Sequence, residues 1–302
     1  MATQTRTKTG LLSGDYTIEQ KEAILGYLLV APAVLLVGAV ILYPVAYNVY
    51  LSFTQVPISP EQSPTWVGLR HYRTLLSSGA FWDALTNTIV FTFFSDTLAT
   101  AGGLGAALLF NRRFRGRRIA RGLMLLPYVA PLIAVAYIWQ WLLDPLYGLV
   151  PYVLGDLLGL GIGQLDVLNN AGTALWAVVA FDAWRYFPFA FLMIIARLQA
   201  IPADMYEAAK IDGASRFAQF KDITLPELKY VLGTVFLLRW IWNFNKFADI
   251  WLLTRQVQTL PIYAYQTAFA NYNQGQAAAI AMVLFLALMG FVLLYVTWIL
   301  EW

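Results

Sequence analysis

Strongly apolar runs alternate with short polar connections along this chain. A helix needs about 20 apolar residues to cross the hydrocarbon core of a membrane, and six of the runs reach that length. The pattern therefore predicts an all-α, polytopic membrane protein with six transmembrane helices. The predicted spans cover residues 24–53, 81–110, 119–143, 173–195, 230–254 and 277–300.

Composition supports the membrane class and removes several kinds of chemistry. Of 302 residues, 60% are hydrophobic and 12% are charged, whereas soluble domains are about half apolar and about a quarter charged. The chain has no cysteine, which excludes disulfides and thiol chemistry. Its one histidine, His71, lies in a polar run and is expected to be a solvated loop residue. One histidine cannot build a His-rich metal site, so no metal site is predicted.

Basic residues are concentrated in alternate connections. The N-terminal tail and the second and fourth connections carry most of the lysines and arginines, whereas the other loops contain Arg70, Arg73 and Arg255. The positive-inside rule then places both termini in the cytoplasm, with residues 1–23 as a tail and 24–302 as the transmembrane domain. The basic second connection is an ordinary topology signal, so no nucleic-acid partner is predicted.

The polar stretch between the fourth and fifth spans, residues 203–229, is called the elbow below. Residues 203–209 and 214–222 are good helix formers, and Pro202 suits the start of the first helix. Gly213 lies where a helix can end in a left-handed conformation, and Pro226 ends the second helix or opens the next one. The pattern predicts a helix–turn–helix on the cytoplasmic face.

The elbow has two interpretations on physical grounds. Ala208 and Ala209 leave room for the close approach of another protein surface, and Glu207 offers a charge to its basic or hydrogen-bonding groups. Alternatively, the segment is an amphipathic helix that rests on lipid headgroups. Amphipathicity by itself does not identify a partner.

The elbow also carries the spaced pattern EAA-x3-G-x9-I-x-LP, which resembles the signature of ABC-importer permeases. VGLRHYRTLL, FWDALTNTIVFT, NRRFRGRRIARGLMLLPYVAP and WNFNKFADIWLLT resemble further segments of the maltose-type and glycerol-3-phosphate-type sugar permeases, so the likeness covers most of the chain. It implies a type I ABC importer permease fold in the bacterial cytoplasmic (inner) membrane. The coupling residues that it implies are Glu207, Ala208, Ala209, Asp212, Gly213, Ile223, Leu225 and Pro226.

The resemblance also implies partners. These are two ABC ATPase subunits that receive the elbow, a second homologous permease and an extracytoplasmic solute-binding protein, besides the lipid bilayer. The chain has no G-x-x-x-x-G-K-[ST] phosphate loop, so ATP and Mg are expected on the partner ATPase, with no cofactor here. It also lacks a catalytic constellation, so it is not expected to be an enzyme. The glycines of the second span, Gly102, Gly103 and Gly105, indicate close helix packing.

One departure concerns the loop after the fifth span. The family commonly has a Gly-Gly-Pro turn after LLT, whereas this chain has residues 255–258, RQVQ. The conformation of this loop is therefore not implied by the resemblance.

Ionisable residues inside the spans are costly and mark functional candidates. Asp182 with Arg185, and Lys246 with Asp249, lie three residues apart, the spacing of neighbours on a helix. Solute contact is one interpretation, and mutual pairing that holds helices in register is the other. A base that faces the path would suit an anionic solute unless the acids cancel its charge. The substrate-path candidates are Asn243, Asn245, Lys246, Asp249, Trp139, Trp141, Asp182, Trp184 and Arg185, with Asp96 and Arg239 as further intramembrane charges.

Import of a sugar or sugar derivative, driven by separate ATPase subunits, is the function that these features favour. The alternative is a self-sufficient secondary transporter or channel for a small polar solute. Such a protein needs an ion-coupling site and often has internal repeats with broken helices, and it gives the elbow no role. A membrane enzyme is the third hypothesis, and it lacks a catalytic set.

Overall fold

The computed structural model describes residues 17–59, 61–112, 114–158 and 166–298, which are helical except for connections and one short strand pair. The first half contains α1 (Ile18–Val37), α2 (Tyr43–Ser52), β1 (Thr54–Gln55), β2 (Thr65–Trp66), α3 (Arg70–Leu76), α4 (Gly79–Asn111), α5 (Arg117–Met124), α6 (Leu126–Val129), α7 (Leu132–Leu142) and α8 (Leu149–Pro151). The second half contains α9 (Ala171–Ala200), α10 (Ala203–Ile211), α11 (Arg216–Gln219), α12 (Leu225–Phe244), α13 (Ala248–Leu253), α14 (Leu260–Tyr265) and α15 (Gln274–Trp298). The strands pair antiparallel, Thr54 with Trp66.

The first span begins earlier than residue 24. Thr17 and Gln20 form a capping box, in which the Thr17 hydroxyl accepts from the Gln20 amide and the Gln20 side chain accepts from the Thr17 amide. This box satisfies backbone donors at the start of the helix. One continuous helix then runs over Ile18–Ser52 through a π turn, and its apolar window is not buried within the chain. The predicted tail boundary at residue 23 therefore falls inside α1.

Helices α4 and α9 pack against each other along an extensive contact. A side chain at Gly103 would place its Cβ 2.6 Å from the Cβ of Ala190, so only glycine permits this approach. A Cβ at Gly102 would lie 3.6 Å from the Phe187 Cβ, an ordinary van der Waals distance. A Cβ at Gly105 would meet no atom within 4 Å. The prediction of close packing is thus confirmed at Gly103 and wrong at Gly105, which points away from the contact.

The predicted third span, residues 119–143, is bent and is not one straight helix. Arg117–Val129 and Leu132–Leu142 meet at 92°. Pro131 has no backbone N–H and disfavours the helical conformation at the residue before it. Ala130 accordingly has an extended conformation with ψ 143°, and the span breaks there.

The predicted fifth span, residues 230–254, also differs. Its helix begins within the elbow, because α11, a π turn at Phe220–Thr224 and α12 follow one another with helical backbone at each junction. It ends at Phe244, and Asn245 to Phe247 separate it from α13. The elbow and the fifth span therefore share one helix.

Within the described ranges, four helices are long and apolar enough to cross a membrane, and the bent pair of the third span would be a fifth. These four are Ile18–Ser52, Gly79–Asn111, Ala171–Ala200 and Gln274–Trp298. Every 18-residue stretch of α12 contains the charged residues Glu227, Lys229 and Arg239. These three charges make α12 more polar than the four helices named above. The all-α membrane fold is confirmed, whereas the count of six spans stays a prediction.

His71 is buried in α3, so the prediction of a solvated loop residue is wrong. Its Nε2 lies 3.0 Å from the carbonyl oxygen of Thr54. A side chain at Gly275, at the start of α15, would collide with both His71 and the Thr54 carbonyl. His71 therefore joins the strand pair to the last span, where glycine makes room for its ring.

Candidate functional site

The elbow turns at a Schellman motif. Gly213 has φ +80°, its amide donates to the Lys210 carbonyl at 3.1 Å, and the Ala214 amide donates to the Ala209 carbonyl at 2.8 Å. These two bonds satisfy carbonyls that the end of α10 would otherwise leave free. The Ser215 hydroxyl then caps α11 by accepting from the Ala218 amide at 3.2 Å. The left-handed turn predicted at Gly213 is confirmed.

Contacts fasten the elbow to the helices on either side of it. Ile223 packs against a buried cluster that includes residues of α4, α9 and α12. The Tyr206 and Thr224 hydroxyls form a 2.9 Å hydrogen bond between α10 and the π turn. Arg197, in the last turn of α9, forms an ion pair with the Glu227 carboxylate and donates to its carbonyl at 3.1 Å. The elbow is therefore attached to both α9 and α12.

The predicted coupling residues divide into two groups in space. Glu207, Ala208 and Asp212 are exposed, as are Gly213, Leu225 and Pro226, whereas Ile223 and Ala209 are half-buried. The exposed group is available to another protein, and Ile223 serves as an anchor.

Two large apolar side chains on the elbow were not among the candidates. Ile211 is 87% exposed and Phe217 is 73% exposed. Exposed apolar residues next to polar ones are typical of surfaces that contact another protein or a membrane. Their signal in the sequence was the presence of bulky apolar residues inside an otherwise polar segment.

A polar cluster lies between α4, α9 and α12, and Asp182 is its centre. The Asp182 carboxylate accepts from Arg239 at 2.7 Å, from Asn243 at 3.0 Å and from Lys246 at 2.5 Å. Asp96 of α4 accepts from Asn243 at 2.8 Å and lies 3.3 Å from the Arg239 Nε. Asp96 and Asp182 are fully buried. Asp182 accepts three hydrogen bonds, whereas Asp96 accepts one from Asn243, and its other carboxylate oxygen has no hydrogen-bond partner.

The second part of the polar cluster surrounds the bend in the third span. Arg185 donates to the carbonyls of Pro127 at 3.2 Å and Ala130 at 2.9 Å. Its Nε lies 3.9 Å from the Asp249 carboxylate. Because Pro131 has no N–H to offer, carbonyls of the preceding turn lose helical partners. The Arg185 guanidinium replaces those partners inside the bundle, as buried backbone groups require.

The ion pairs therefore differ from the local ones that the spacing indicated. Asp182 binds Arg239 and Lys246 rather than Arg185, and Arg185 lies beside Asp249 instead. Packing of α9 against α12, α13 and the connection between them brings these groups together. Lys246 lies in the break after Phe244, whereas Asp249 lies in α13. The two residues are therefore not neighbours on one helix. Arg239, Asn243 and Lys246 instead converge on the one carboxylate of Asp182.

Tyr186 joins the two parts of the polar cluster and was missed in the sequence. Its hydroxyl donates to Asp249 at 2.9 Å. The Lys246 Nζ lies 3.6 Å from the centroid of its ring, and the guanidinium carbons of Arg239 and Arg185 lie 5.2 and 5.6 Å from it. Cations are attracted to the face of an aromatic ring at such distances. The available signal was its position next to Arg185 among intramembrane charges.

The remaining path candidates lie outside the polar cluster. Asn245 is exposed, and its amide donates to the Ile241 carbonyl at 3.0 Å. Trp139 contacts Phe181 and Trp184, with ring centroids 5.4 and 5.5 Å apart. Trp141 and Trp184 are exposed. Solute contact by these residues stays a prediction.

The altered loop after the fifth span has its own contact. The Arg255 guanidinium lies 3.7 Å from the centroid of the Trp251 ring. Among the residues that the structure describes, no group of three or more His, Cys, Asp or Glu is placed to hold a metal ion.

Comparison with known proteins gives consistent matches. Residues 99–301 match the family described as "Binding-protein-dependent transport system inner membrane component". The chain is 42% identical to inner membrane ABC transporter permease protein YcjO of Escherichia coli, over 88% of this chain and 91% of that protein. It is 37% identical to trehalose/maltose transport system permease protein MalF of Thermococcus litoralis, over 92% and 94% of the two chains. A bacterial ABC transporter involved in the import of the acidic polysaccharide alginate has the same fold, with a TM-score of 0.74, 19% identity, and 92% and 95% of the chains covered.

Proposed function

Since the chain belongs to the family of binding-protein-dependent transport system inner membrane components, we propose that it forms one permease half of an ATP-driven importer. The importer moves a sugar or sugar derivative into the cytoplasm. The elbow carries this proposal, because it combines an exposed docking surface at Glu207 and Ala208 with a helix that continues from Arg216 to Phe244.

Sugar as the solute class rests on the relatives. The MalF relative is named for trehalose and maltose transport, and the solved structure is of an alginate importer. Sugars need hydrogen-bonding groups and flat aromatic faces. Asn245 offers a hydrogen-bonding amide and Trp184 offers an aromatic face. Both side chains are exposed next to the polar cluster.

The assembly contains a second permease, two ATPase subunits and an extracytoplasmic solute-binding protein. Binding-protein dependence is part of the family description. The unburied apolar length of Ile18–Ser52 suits contact with lipid or with the second permease. Because the chain has no phosphate loop, ATP is hydrolysed by the partner subunits.

Motion passes through the chain in three steps. ATP binding draws the two ATPase subunits together, and each pulls the elbow that it holds. The pull passes along the continuous helix from α11 into α12, while the Arg197–Glu227 pair takes α9 with it. The polar cluster then links α12 and α9 to α4, so these helices move as a unit between outward-open and inward-open arrangements.

Substitution of the elbow glycine tests the coupling. Valine at position 213 cannot adopt φ +80° without a strain of about 1–2 kcal/mol. We expect Gly213→Val to lower sugar uptake per ATP hydrolysed about tenfold in proteoliposomes that contain the permease pair, the ATPases and the binding protein. Maltose and trehalose, with their uronate forms, are the solutes assayed.

Gly116→Val is the matched control. Gly116 has the same φ of +80° and the same open surroundings, but it lies in the connection before α5. We expect it to leave the ratio of uptake to hydrolysis unchanged. An equal loss in both variants, or uptake by the purified chain alone in an ion gradient, would refute the coupling role.

A further inference from the structure

We infer that the chain binds one anionic phospholipid beside the elbow. The inference goes beyond the proposed function, because it concerns a lipid of the surrounding membrane and not the transported solute. The sequence left lipid contact open as one interpretation of the elbow. A cavity in the structure gives that contact a place and a preferred charge.

A cavity of about 1020 Å³ lies between the elbow and the ends of α4 and α9, and it is called the elbow cavity below. Leu108 and Arg112 line it from α4, Leu198 lines it from α9, and Lys210 and Arg216 line it from the elbow. Ligand pockets of proteins measure about 300–1,000 Å³. The elbow cavity therefore has room for a lipid headgroup with its glycerol, which is far more than a bare phosphate ion fills.

Three basic side chains surround the elbow cavity, and no acidic residue lines it. They belong to Arg112, Lys210 and Arg216, and within the described ranges none of these side chains forms an ion pair or donates a hydrogen bond. By contrast, Arg197 near the same end of α9 is paired with Glu227. Like charges around one space repel one another, whereas an anion among them is attracted by all three. The elbow cavity therefore favours a negatively charged occupant.

The wall of the elbow cavity changes from apolar to basic along α4. Leu108 lies one helical turn before Arg112, a rise of about 6 Å along the helix axis. Leu198 and Phe220 extend the apolar part of the wall, and Phe217, which is 73% exposed, also lines the cavity. A phospholipid has the same order, since its apolar chains are followed by a charged phosphate. An anionic lipid therefore suits both parts of the wall, whereas a soluble anion leaves the apolar part uncovered.

The elbow cavity is separate from the proposed docking surface. Tyr206 and Lys210 lie one turn apart on α10, and both line the cavity. Ala208 lies midway between them, and at about 100° per residue it faces the opposite side of the helix. Neither Ala208 nor Glu207 lines the cavity. A lipid and an ATPase subunit can therefore occupy the two sides of α10 at the same time.

The test compares lipids that differ in headgroup charge. The full chain, purified in a neutral detergent, is titrated with phosphatidylglycerol and with phosphatidylcholine of the same acyl chains, and bound lipid is counted by native mass spectrometry. We expect phosphatidylglycerol to bind at least about tenfold more tightly, because three bases attract its net charge. Equal binding of the two lipids would overturn the inference.

Inorganic phosphate separates a lipid site from a site for a free anion. A large excess of phosphate is compared with sodium chloride of equal ionic strength. The two salts should reduce phosphatidylglycerol binding equally, since the phosphate ion has no apolar part to place against the wall. Displacement by phosphate alone would assign the elbow cavity to a soluble anion and would contradict the lipid.

Neutralisation of the three bases tests the charge. The triple variant Arg112→Gln, Lys210→Gln, Arg216→Gln should lose the preference for phosphatidylglycerol. The matched control Arg115→Gln, Arg118→Gln, Lys221→Gln removes three exposed bases from the same connections, none of which lines the elbow cavity. The control should keep the preference. An equal loss in both variants would show a general attraction to basic loops and would refute a specific site.

Ala214→Trp tests the space while it leaves every charge in place. Ala214 lines the elbow cavity and is half-buried, so a tryptophan there should occupy the volume of the headgroup. We expect phosphatidylglycerol binding to fall towards the level of phosphatidylcholine. A folded variant with wild-type lipid binding would place the lipid elsewhere. If this variant does not fold, the two charge variants decide.

An acidic surface of the ATPase is the alternative occupant. Association of the triple variant with the ATPase subunits is therefore measured as well. Loss of that association, together with no lipid preference in the wild-type chain, would assign the elbow cavity to the ATPase. Lipid binding is measured on the chain without its partners, whereas sugar uptake needs the full assembly, so a failure of either proposal is recognised separately.

Discussion

At the scale of single residues, Asp182 connects the fourth span to the fifth. It lies in the middle of α9 and accepts from Arg239, Asn243 and Lys246. No residue within one helical turn of it provides these contacts. The importance of an intramembrane acid was visible in the sequence, but its partners were not.

Gly103 gives a test at the same scale. In Gly103→Ala the new methyl group would lie 2.6 Å from the Ala190 Cβ, so α4 and α9 must separate. Overpacking of this kind costs about 1–3 kcal/mol, and we expect a lower thermal unfolding temperature of the purified complex. Gly105→Ala, two residues away in open space, is the matched control and should unfold at or slightly above the wild-type temperature, because alanine favours the helix more than glycine does. Equal stability of the two variants would contradict the close contact.

Among the elements, the bent third span depends on a residue of another helix. Arg185 of α9 supplies hydrogen bonds to Pro127 and Ala130, where Pro131 interrupts the span. The proline makes a break predictable in principle. The guanidinium of Arg185, which is distant in the sequence, takes the place of the N–H that proline lacks. Only the packed bundle reveals this replacement.

Arg185→Met tests this support. The substitution removes both hydrogen bonds at the bend and leaves Asp249 without its base, so we expect a loss of about 3–5 kcal/mol in stability. Thermal unfolding of the detergent-purified complex measures it. Arg118→Met removes an exposed arginine of α5 and should change the unfolding temperature little. If the two variants unfold alike, Arg185 does not support the bend.

For the whole molecule, the polar cluster determines how three helices fit together. Arg239 of α12 lies between Asp96 of α4 and Asp182 of α9. Buried ion pairs contribute little net stability, but the loss of one partner leaves an uncompensated charge. The cluster therefore selects one arrangement of α4, α9 and α12.

A double-mutant cycle on Arg239 and Asp96 tests this arrangement. Arg239→Met leaves Asp96 without a base, and the further change Asp96→Asn removes that charge. The double variant should be more stable than the sum of the two single losses predicts, with a coupling of about 1–3 kcal/mol. The partly exposed Arg197–Glu227 pair provides a second cycle with a coupling below about 1 kcal/mol. Thermal unfolding measures both couplings, and equal values would contradict the role of the polar cluster in selecting the arrangement of α4, α9 and α12.

The sequence predicted the features that depend on local chemistry. Apolar runs indicated the membrane helices, and Gly213 indicated the left-handed turn of the elbow, because both depend on the residues themselves. It failed where distant parts of the chain meet. His71 looked solvated because its neighbours in the sequence are polar, yet α3 and α15 bury it against Thr54 and Gly275.

By itself, the sequence determined the all-α membrane class, the presence of the elbow and the six charges inside the spans. Hydrophobic length, turn chemistry and residue identity are sufficient for these. Only the tertiary structure decided which acid neutralises which base, where the third and fifth spans break and how the elbow continues into α12. Helix packing makes these decisions, since a buried charge pairs with whichever opposite charge the neighbouring helix brings within reach.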